Sequence, residues 1–230
     1  MIAPEAELRT AWCRLAGVGV GNPGAEPSAG LRERSPTGAL DGLLDGLLER
    51  LREPHRHYHT ATHVMWVLRH LATLAQSPAA QGVDIDAVHW AALYHDAIYA
   101  PTRADNEALS AALAAADAAL VGWDADRCAA VHRLVMATAT HHPSAPDEAL
   151  LVDADLAVLG GSPEDYAAYV RGVRAEYAHV QDAAWRRGRA EVVRHLLADG
   201  RVFHTAEMTA ARGAQAMANL TAELATLEAG

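Results

Sequence analysis

The chain has 230 residues, 51% of them hydrophobic, with 19 basic and 29 acidic side chains and a net charge of −10. That length can bury a sizeable core, while the acidic balance argues against nonspecific binding to DNA, RNA or an anionic membrane. Every basic residue is arginine, which excludes a lysine Schiff base, a lysine nucleophile and a P-loop lysine and leaves the bidentate guanidinium as the only fixed cation for phosphate.

Taken in chain order, MIAPEAELRTAW carries acidic residues where a signal peptide has basic ones. Residues 5 to 16 predict a short helix around Leu8, Trp12 and Leu15. The next stretch, AGVGVGNPGAEPSAG, contains Gly-x-Gly-x-x-Gly at Gly19, Gly21 and Gly24. A dinucleotide fingerprint needs a strand before it and a helix directly after. No strand pattern precedes this one, and Pro23 and Pro27 break the segment where the helix would have to start, so it reads as a loop. From Leu40 the pattern is helical almost to the end. LDGLLDGLLERL repeats leucine at helical spacing and stops at Glu53-Pro54. THVMWVLRHLATLA puts Val64, Val67, Leu68, Leu71 and Leu74 on one face. DIDAVHWAALYHDAIYA starts at Asp84 or Asp86, either of which can cap it. Helices are also expected in ADNEALSAALAAADAALVGW, ADRCAAVHRLVMATATHH and DEALLVDADLAVLG. SPEDYAAYVRGVRAEY opens on a serine cap and an N1 proline, and AAWRRGRAEVVRHLLADG and an alanine-rich terminal helix complete the series.

The expected fold is therefore all-α, a bundle of helices packed on helices. Residues 1–38 form an N-terminal helix and Gly/Pro loop, 39–205 the core, and 206–230 a terminal helix on the same domain. No apolar run is long enough to span a bilayer, and Cys13 and Cys128 show no zinc or redox spacing. A cytoplasmic protein is the simplest reading.

The chemistry is concentrated in histidines and aspartates. His55, His57, His59 and His63 crowd into PHRHYHTATHV. If that stretch is helical, His59 and His63 share a face at i and i+4 and could supply one metal ligand and one proton donor. His95 and Asp96 interrupt an otherwise apolar helix, as do Asp153 and Asp155. Buried acids cost several kcal/mol unless paired or metal-bound, and a shared divalent cation would satisfy these groups together. Each taken singly reads as an ordinary surface, core or ion-paired residue; the succession on consecutive helices is what points to a metal.

The order His…His-Asp…Asp resembles the signature of the HD superfamily of metal-dependent phosphohydrolases. Tyr58-His59-Thr60-Ala61-Thr62-His63 is also similar to the Tyr-His-Asn-x-x-His segment of cyclic nucleotide phosphodiesterases. EPHRHYHTATHV, YHDAIY, DNEALSA, LLVDADLAVLG, VRAEY and GRAEVVRHLL together look like a small bacterial branch of predicted HD phosphohydrolases, across roughly residues 40 to 205. The resemblance implies an HD-like helical bundle with the metal on His63, His95, Asp96 and Asp153, Asp155 being the competitor for the last place. It implies His59 as the general acid. Stringent-response hydrolases follow His-Asp with a Glu-Asp pair, where this chain has Tyr99-Ala100. Glu107 is then the candidate for the missing carboxylate, and the alarmone class is disfavoured.

The implied activity is hydrolysis of a small phosphate ester, with a nucleotide as first guess. Mixed N/O ligands admit Mn, Fe, Co, Ni, Zn or Mg. Arg56, Arg103, Arg174 and Arg189 are candidates to hold phosphate, and no aromatic stacking platform is apparent, Trp66, Trp90, Trp123 and Trp185 reading equally well as core. His141-His142 reads two ways: a site for substrate or a second ion at His141, or histidines favoured at a helix C-terminus. Expected partners are a small phosphorylated molecule and no nucleic-acid polymer or membrane, and a homodimer is admitted. Two rival readings are a di-iron oxygenase on the same fold and a non-catalytic ligand-binding HD module.

Overall fold

The helices begin where the sequence places capping oxygens or prolines. Thr60, Asp84, Asp124, Ser162 and Thr205 each accept a hydrogen bond from a backbone N–H of the turn they open, satisfying donors that a helix leaves unpaired at its start. Pro4, Pro146 and Pro163 sit at the first turns of three helices, where the missing N–H costs nothing.

The computed structural model describes residues 3–18 and 36–229. The Gly-x-Gly-x-x-Gly stretch at 19–24 lies outside them. In order, the helices are α1 (Pro4–Leu15), α2 (Pro36–Leu51), α3 (Ala61–Leu74), α4 (Ile85–Tyr94), α5 (Asn106–Leu120), α6 (Ala125–Ala137), α7 (Pro146–Asp155), α8 (Pro163–Glu176) and α9 (Asp182–Leu197). The last helical run opens as α10 (Ala206–Met208), passes through a π-helical stretch (Thr209–Gly213) and continues as α11 (Ala214–Glu228). A 3₁₀ turn, Leu156–Gly160, extends α7. No strand occurs among the described residues, and no helix there is long and apolar enough to cross a membrane. The all-α architecture read from the periodicity is the one observed.

Helix α4 is the axis of the core. Ala87, Val88, Trp90, Ala91, Ala92, Leu93 and Tyr94 are all buried, because α1, α3, α5, α6 and α7 pack around it. A helix that buries all of its residues except Ile85, Asp86 and His89 has to be a central one. Its two fully buried polar side chains are satisfied internally. The Trp90 indole donates to the Ala114 carbonyl at 2.9 Å, and the Tyr94 hydroxyl donates to Asp117 at 2.9 Å while accepting from the Trp12 indole at 3.0 Å. Helices α5 and α6 form a hairpin against α4, and α11 lies along α9 and the 156–160 turn.

This packing brings the polar residues together. Helix α4 ends at Tyr94, so His95 is its C-cap and Asp96 lies just beyond. Helix α3 starts at Ala61, and α7 runs beside both α3 and α4. The start of α3, the end of α4 and the end of α7 thus meet at one point.

Candidate metal centre

The residues before α3 are not helical. Thr60 caps α3 in an extended conformation (φ −112°, ψ 178°), so His59 lies in the preceding turn and the shared helical face expected of His59 and His63 does not exist. Their rings are nonetheless close, with centroids 5.7 Å apart.

His63, His95 and Asp155 converge. The Nε2 atoms of the two histidines face each other at 3.1 Å. Asp155 Oδ1 lies 3.1 Å from His63 Nε2 and 3.4 Å from His95 Nε2. Asp96 Oδ2 flanks the same two nitrogens at 3.5 and 3.1 Å. His63, His95 and Asp155 present ligand atoms within 4.8 Å of one another and can hold a metal ion.

The donor chemistry fits such an ion. Ligand bonds of about 2.1 Å at 90–110° place neighbouring donors roughly 3.0–3.5 Å apart, which is the spacing seen here. His95 Nδ1 lies 2.9 Å from the Ala92 carbonyl. An N–H must sit between those two atoms, so the neutral ring turns an unprotonated Nε2 towards the cluster, as histidine ligands commonly do. Burial opposes positive charge on His95, but Asp96 and Asp155 outweigh it and hold its pKa well above the ordinary value. Burial likewise opposes the negative charges, yet His95 and its neighbours keep Asp96 and Asp155 below the usual carboxylate range. The cluster therefore keeps its acids ionised and asks for positive charge at its centre.

Asp153, the expected fourth ligand, is not at this centre. Two residues along a helix turn a side chain by about 200°, so Asp153 and Asp155 leave α7 on nearly opposite sides. The Asp153 carboxylate is fully buried and accepts from the backbone N–H of His204 (2.8 Å), the N–H of Thr205 (2.7 Å) and the Thr205 hydroxyl (2.6 Å). It ties α7 to the start of α10, and Asp155 occupies the place assigned to it. Burial raises the Asp153 pKa in spite of those donors.

His59 is set by Glu176, the last residue of α8. His59 Nδ1 is 2.7 Å from Glu176 Oε2, which also accepts from the Tyr99 hydroxyl at 2.9 Å. Glu176 Oε1 accepts the backbone N–H groups of His57, Tyr58 and His59 at 2.8, 2.7 and 2.9 Å. Helix α8 can approach this turn because residue 172 is glycine; a Cβ there would lie 3.1 Å from the Tyr58 Cβ. Burial works against the Glu176 charge, but His59 and the backbone donors bring its pKa down to about 2. Burial works against charge on His59 too, but Asp96 and Glu176 raise its pKa above the ordinary value. Sequence reasoning assigns Glu176 no role, although it lies in the VRAEY segment. A carboxylate at the C-terminal end of a helix, where the dipole disfavours it, is the signal that marks it.

The remaining candidates are scattered. His141 has φ 56° and puts Nε2 3.6 Å from Asp155 Oδ2, so it borders the cluster. His142 points elsewhere, its ring 4.9 Å from His195 and its Nε2 3.7 Å from Asp199. Arg56 is buried, bound to Glu53 and to the carbonyls of His59, Asp96 and Ala97; it locks the histidine turn onto the end of α4. Arg103 pairs with Asp105 on the surface. Arg174 holds the carbonyls of Tyr177 and Val180 and the Asp182 carboxylate. Arg189 is buried against Glu223 and the Tyr169 hydroxyl. Their guanidinium forks are taken up by the protein itself. Glu107 lies in the first turn of α5, and none of its contacts reaches the cluster among those described.

Two cavities share Tyr58, Asp155, Val158 and Tyr169 as a common wall. One, of about 890 Å³, holds His59, His141, His142 and His195. The other, of about 570 Å³, holds His63, Trp66, His70 and Arg212. Both are of the size that takes small molecules. Trp66, read from the sequence as equally suited to the core, is half-exposed here, whereas Trp90 is buried.

In comparison with known proteins, no protein-family model, no curated protein and no solved structure matches the chain.

Proposed function

We propose that the protein is a metal-dependent hydrolase of a small phosphate ester, working at His63, His95, Asp96 and Asp155 with His59 as the general acid. The observation that carries this reading is the juxtaposition of two features. A convergent His/His/Asp group suited to a cation stands beside a histidine whose Nδ1 is anchored on a buried carboxylate. A divalent ion held there would supply Lewis acidity towards a phosphoryl oxygen and would acidify water.

The chain's own residues do the rest. Glu176 accepts the Nδ1 proton of His59 and favours the charged form of the ring, in which the second ring nitrogen holds the proton that a leaving alkoxide needs. Asp96 and Asp155 stay ionised and bind the cation. Tyr58 stands against both His59 and His63, with ring centroids 5.0 and 4.8 Å away, and shields them from bulk water. The HD-superfamily resemblance agrees with the roles of His59, His63, His95 and Asp96 and differs at the last ligand, where it implies Asp153 ahead of Asp155; the substrate is a small anionic metabolite rather than a polymer. A cytoplasmic location belongs to the same reading.

One feature weighs against the di-iron oxygenase. Two well-held irons need both extra histidines at the cluster, and only His141 borders it while His142 faces Asp199.

The test is elemental analysis of the purified chain, combined with phosphate release from nucleotides, sugar phosphates and phosphodiesters in the presence of Mn, Co or Ni. The expected result is bound metal and release from at least one ester. Bound metal without release from any ester would overturn hydrolysis and leave the oxygenase or binding reading.

A further inference from the structure

We infer that Arg212 and the cavity around it bind a second anionic group, a phosphate or carboxylate, on the same small molecule whose phosphate ester meets the metal centre. The inference rests on the hydrolase reading for the scissile end and on separate observations for the other end.

Among the described residues, Arg212 is the only arginine lining either cavity that borders the cluster. It is also uncommitted. Its Nη1 makes two long bonds, to the carbonyls of Ala157 at 3.4 Å and Gly160 at 3.3 Å. No carboxylate among the described residues pairs with it, whereas Arg56, Arg174 and Arg189 each hold one at close range. The two other guanidinium nitrogens thus remain available, and a planar fork of that kind matches phosphate and carboxylate geometry.

Its position is fixed from behind. Arg212 sits in the π-helical stretch Thr209–Gly213, a deviation that recurs at functional sites. The stretch presses on the 156–160 turn so closely that a Cβ on Gly160 would lie 2.5 Å from the Arg212 Cβ and 2.7 Å from its carbonyl oxygen. Glycine at 160 is what admits the arginine.

The surroundings suit an anion on an organic body. Burial, and then the Arg212 charge, lower the His70 pKa to about 4, so at neutral pH His70 adds a hydrogen-bonding ring without a second charge. Trp66 gives the cavity a half-exposed aromatic wall. Two acids line the same space. Asp155 belongs to the cluster, and Asp165 accepts from the Ser162 hydroxyl at the start of α8. Neither pairs with Arg212. A molecule lying between the cluster and Arg212 would place one anion at each end, which also explains how a chain of net charge −10 could attract it.

The test compares matched ligands on the full chain by calorimetry at constant ionic strength. Adenosine monophosphate against adenosine bisphosphate adds a phosphate, and glycerol phosphate against phosphoglycerate adds a carboxylate. A charge-assisted bond predicts that at least one doubly anionic member binds about 10–100-fold more tightly than its partner. Which pair shows the preference identifies the anion. Arg212→Gln should erase that difference and Arg212→Lys should keep part of it, and circular dichroism should show both variants folded, since only two long bonds are lost. Equal affinities within both pairs in the unaltered chain would overturn the inference, as would a preference that survives Arg212→Gln. An Arg212-dependent preference with no ester hydrolysed would refute the hydrolase reading and leave the anion site standing. Hydrolysis without any such preference would do the reverse.

Discussion

Asp153 and Asp155 are two carboxylates on one turn of α7, and they are satisfied in opposite ways. Asp153 meets donors on all its contacts, two backbone N–H groups and a hydroxyl, each within 2.8 Å. Both of its oxygens are hydrogen-bonded by the protein, Oδ1 once and Oδ2 twice, with no ring nitrogen among the donors. Asp155 meets ring nitrogens from His63, His95 and His141. Those nitrogens can accept as well as donate, so the group is completed only by protons or a cation. An apolar environment forces a buried acid to have a partner, but it does not say which kind. The kind of partner separates a structural carboxylate from a metal ligand.

The largest effects should break this comparison if it is wrong. Asp155→Ala is expected to reduce bound metal to background and abolish phosphate release while leaving the thermal melt nearly unchanged. Asp153→Ala should keep the metal and lose about 3 kcal/mol or more of stability, because three donors are left facing a hole. Elemental analysis and melting of the two variants side by side decide it. Metal loss in the Asp153 variant with retention in the Asp155 variant would reverse the two roles.

His59→Ala sharpens the same line between holding an ion and using it. Metal should stay bound while turnover falls by about 10²–10⁴-fold, the range for a general acid. Release of the metal from this variant would move His59 into the ligand set.

A smaller effect, roughly tenfold on turnover, is expected of Glu176→Gln, with a signature that simple misfolding would not give. Glu176 favours the protonated form of His59, so its neutralisation lowers the His59 pKa. The alkaline limb of the pH–rate profile should then move to lower pH. Stability should change on the acid side. The Glu176 pKa falls from 4.5 to about 2 on folding, so its contribution is complete above 4.5 and disappears as the pH drops through about 2. Melting curves across that window should flatten in the Gln variant, and an unchanged slope would remove Glu176 from the account.

Much of the helical framework was legible from periodicity and caps, because apolar spacing and capping oxygens are local signals. His95 and Asp96 were legible for a related reason: polar residues in an apolar run must be matched by something. The turn at 55–60 was harder to read. Its histidines fit a helical spacing, but Glu176, 119 residues away from His57, gathers three of its N–H groups and holds it open. The arginines show the same limit. Arg56, Arg174 and Arg189 lie in or near the motifs, yet each is spent on the protein's own carbonyls or acids. Arg212 sits in an alanine-rich stretch that carries no motif, and it faces a cavity.

By itself the sequence determined that this protein is a stack of helices whose histidines and aspartates have to find one another. Only the tertiary structure decided which of them do. The choice between Asp153 and Asp155 turns on about 200° of helix rotation, and that rotation is set by how α7 packs against α3, α4 and the start of α10. Composition tells that a buried charge needs a partner; the direction in which its side chain leaves the helix determines which partner it meets.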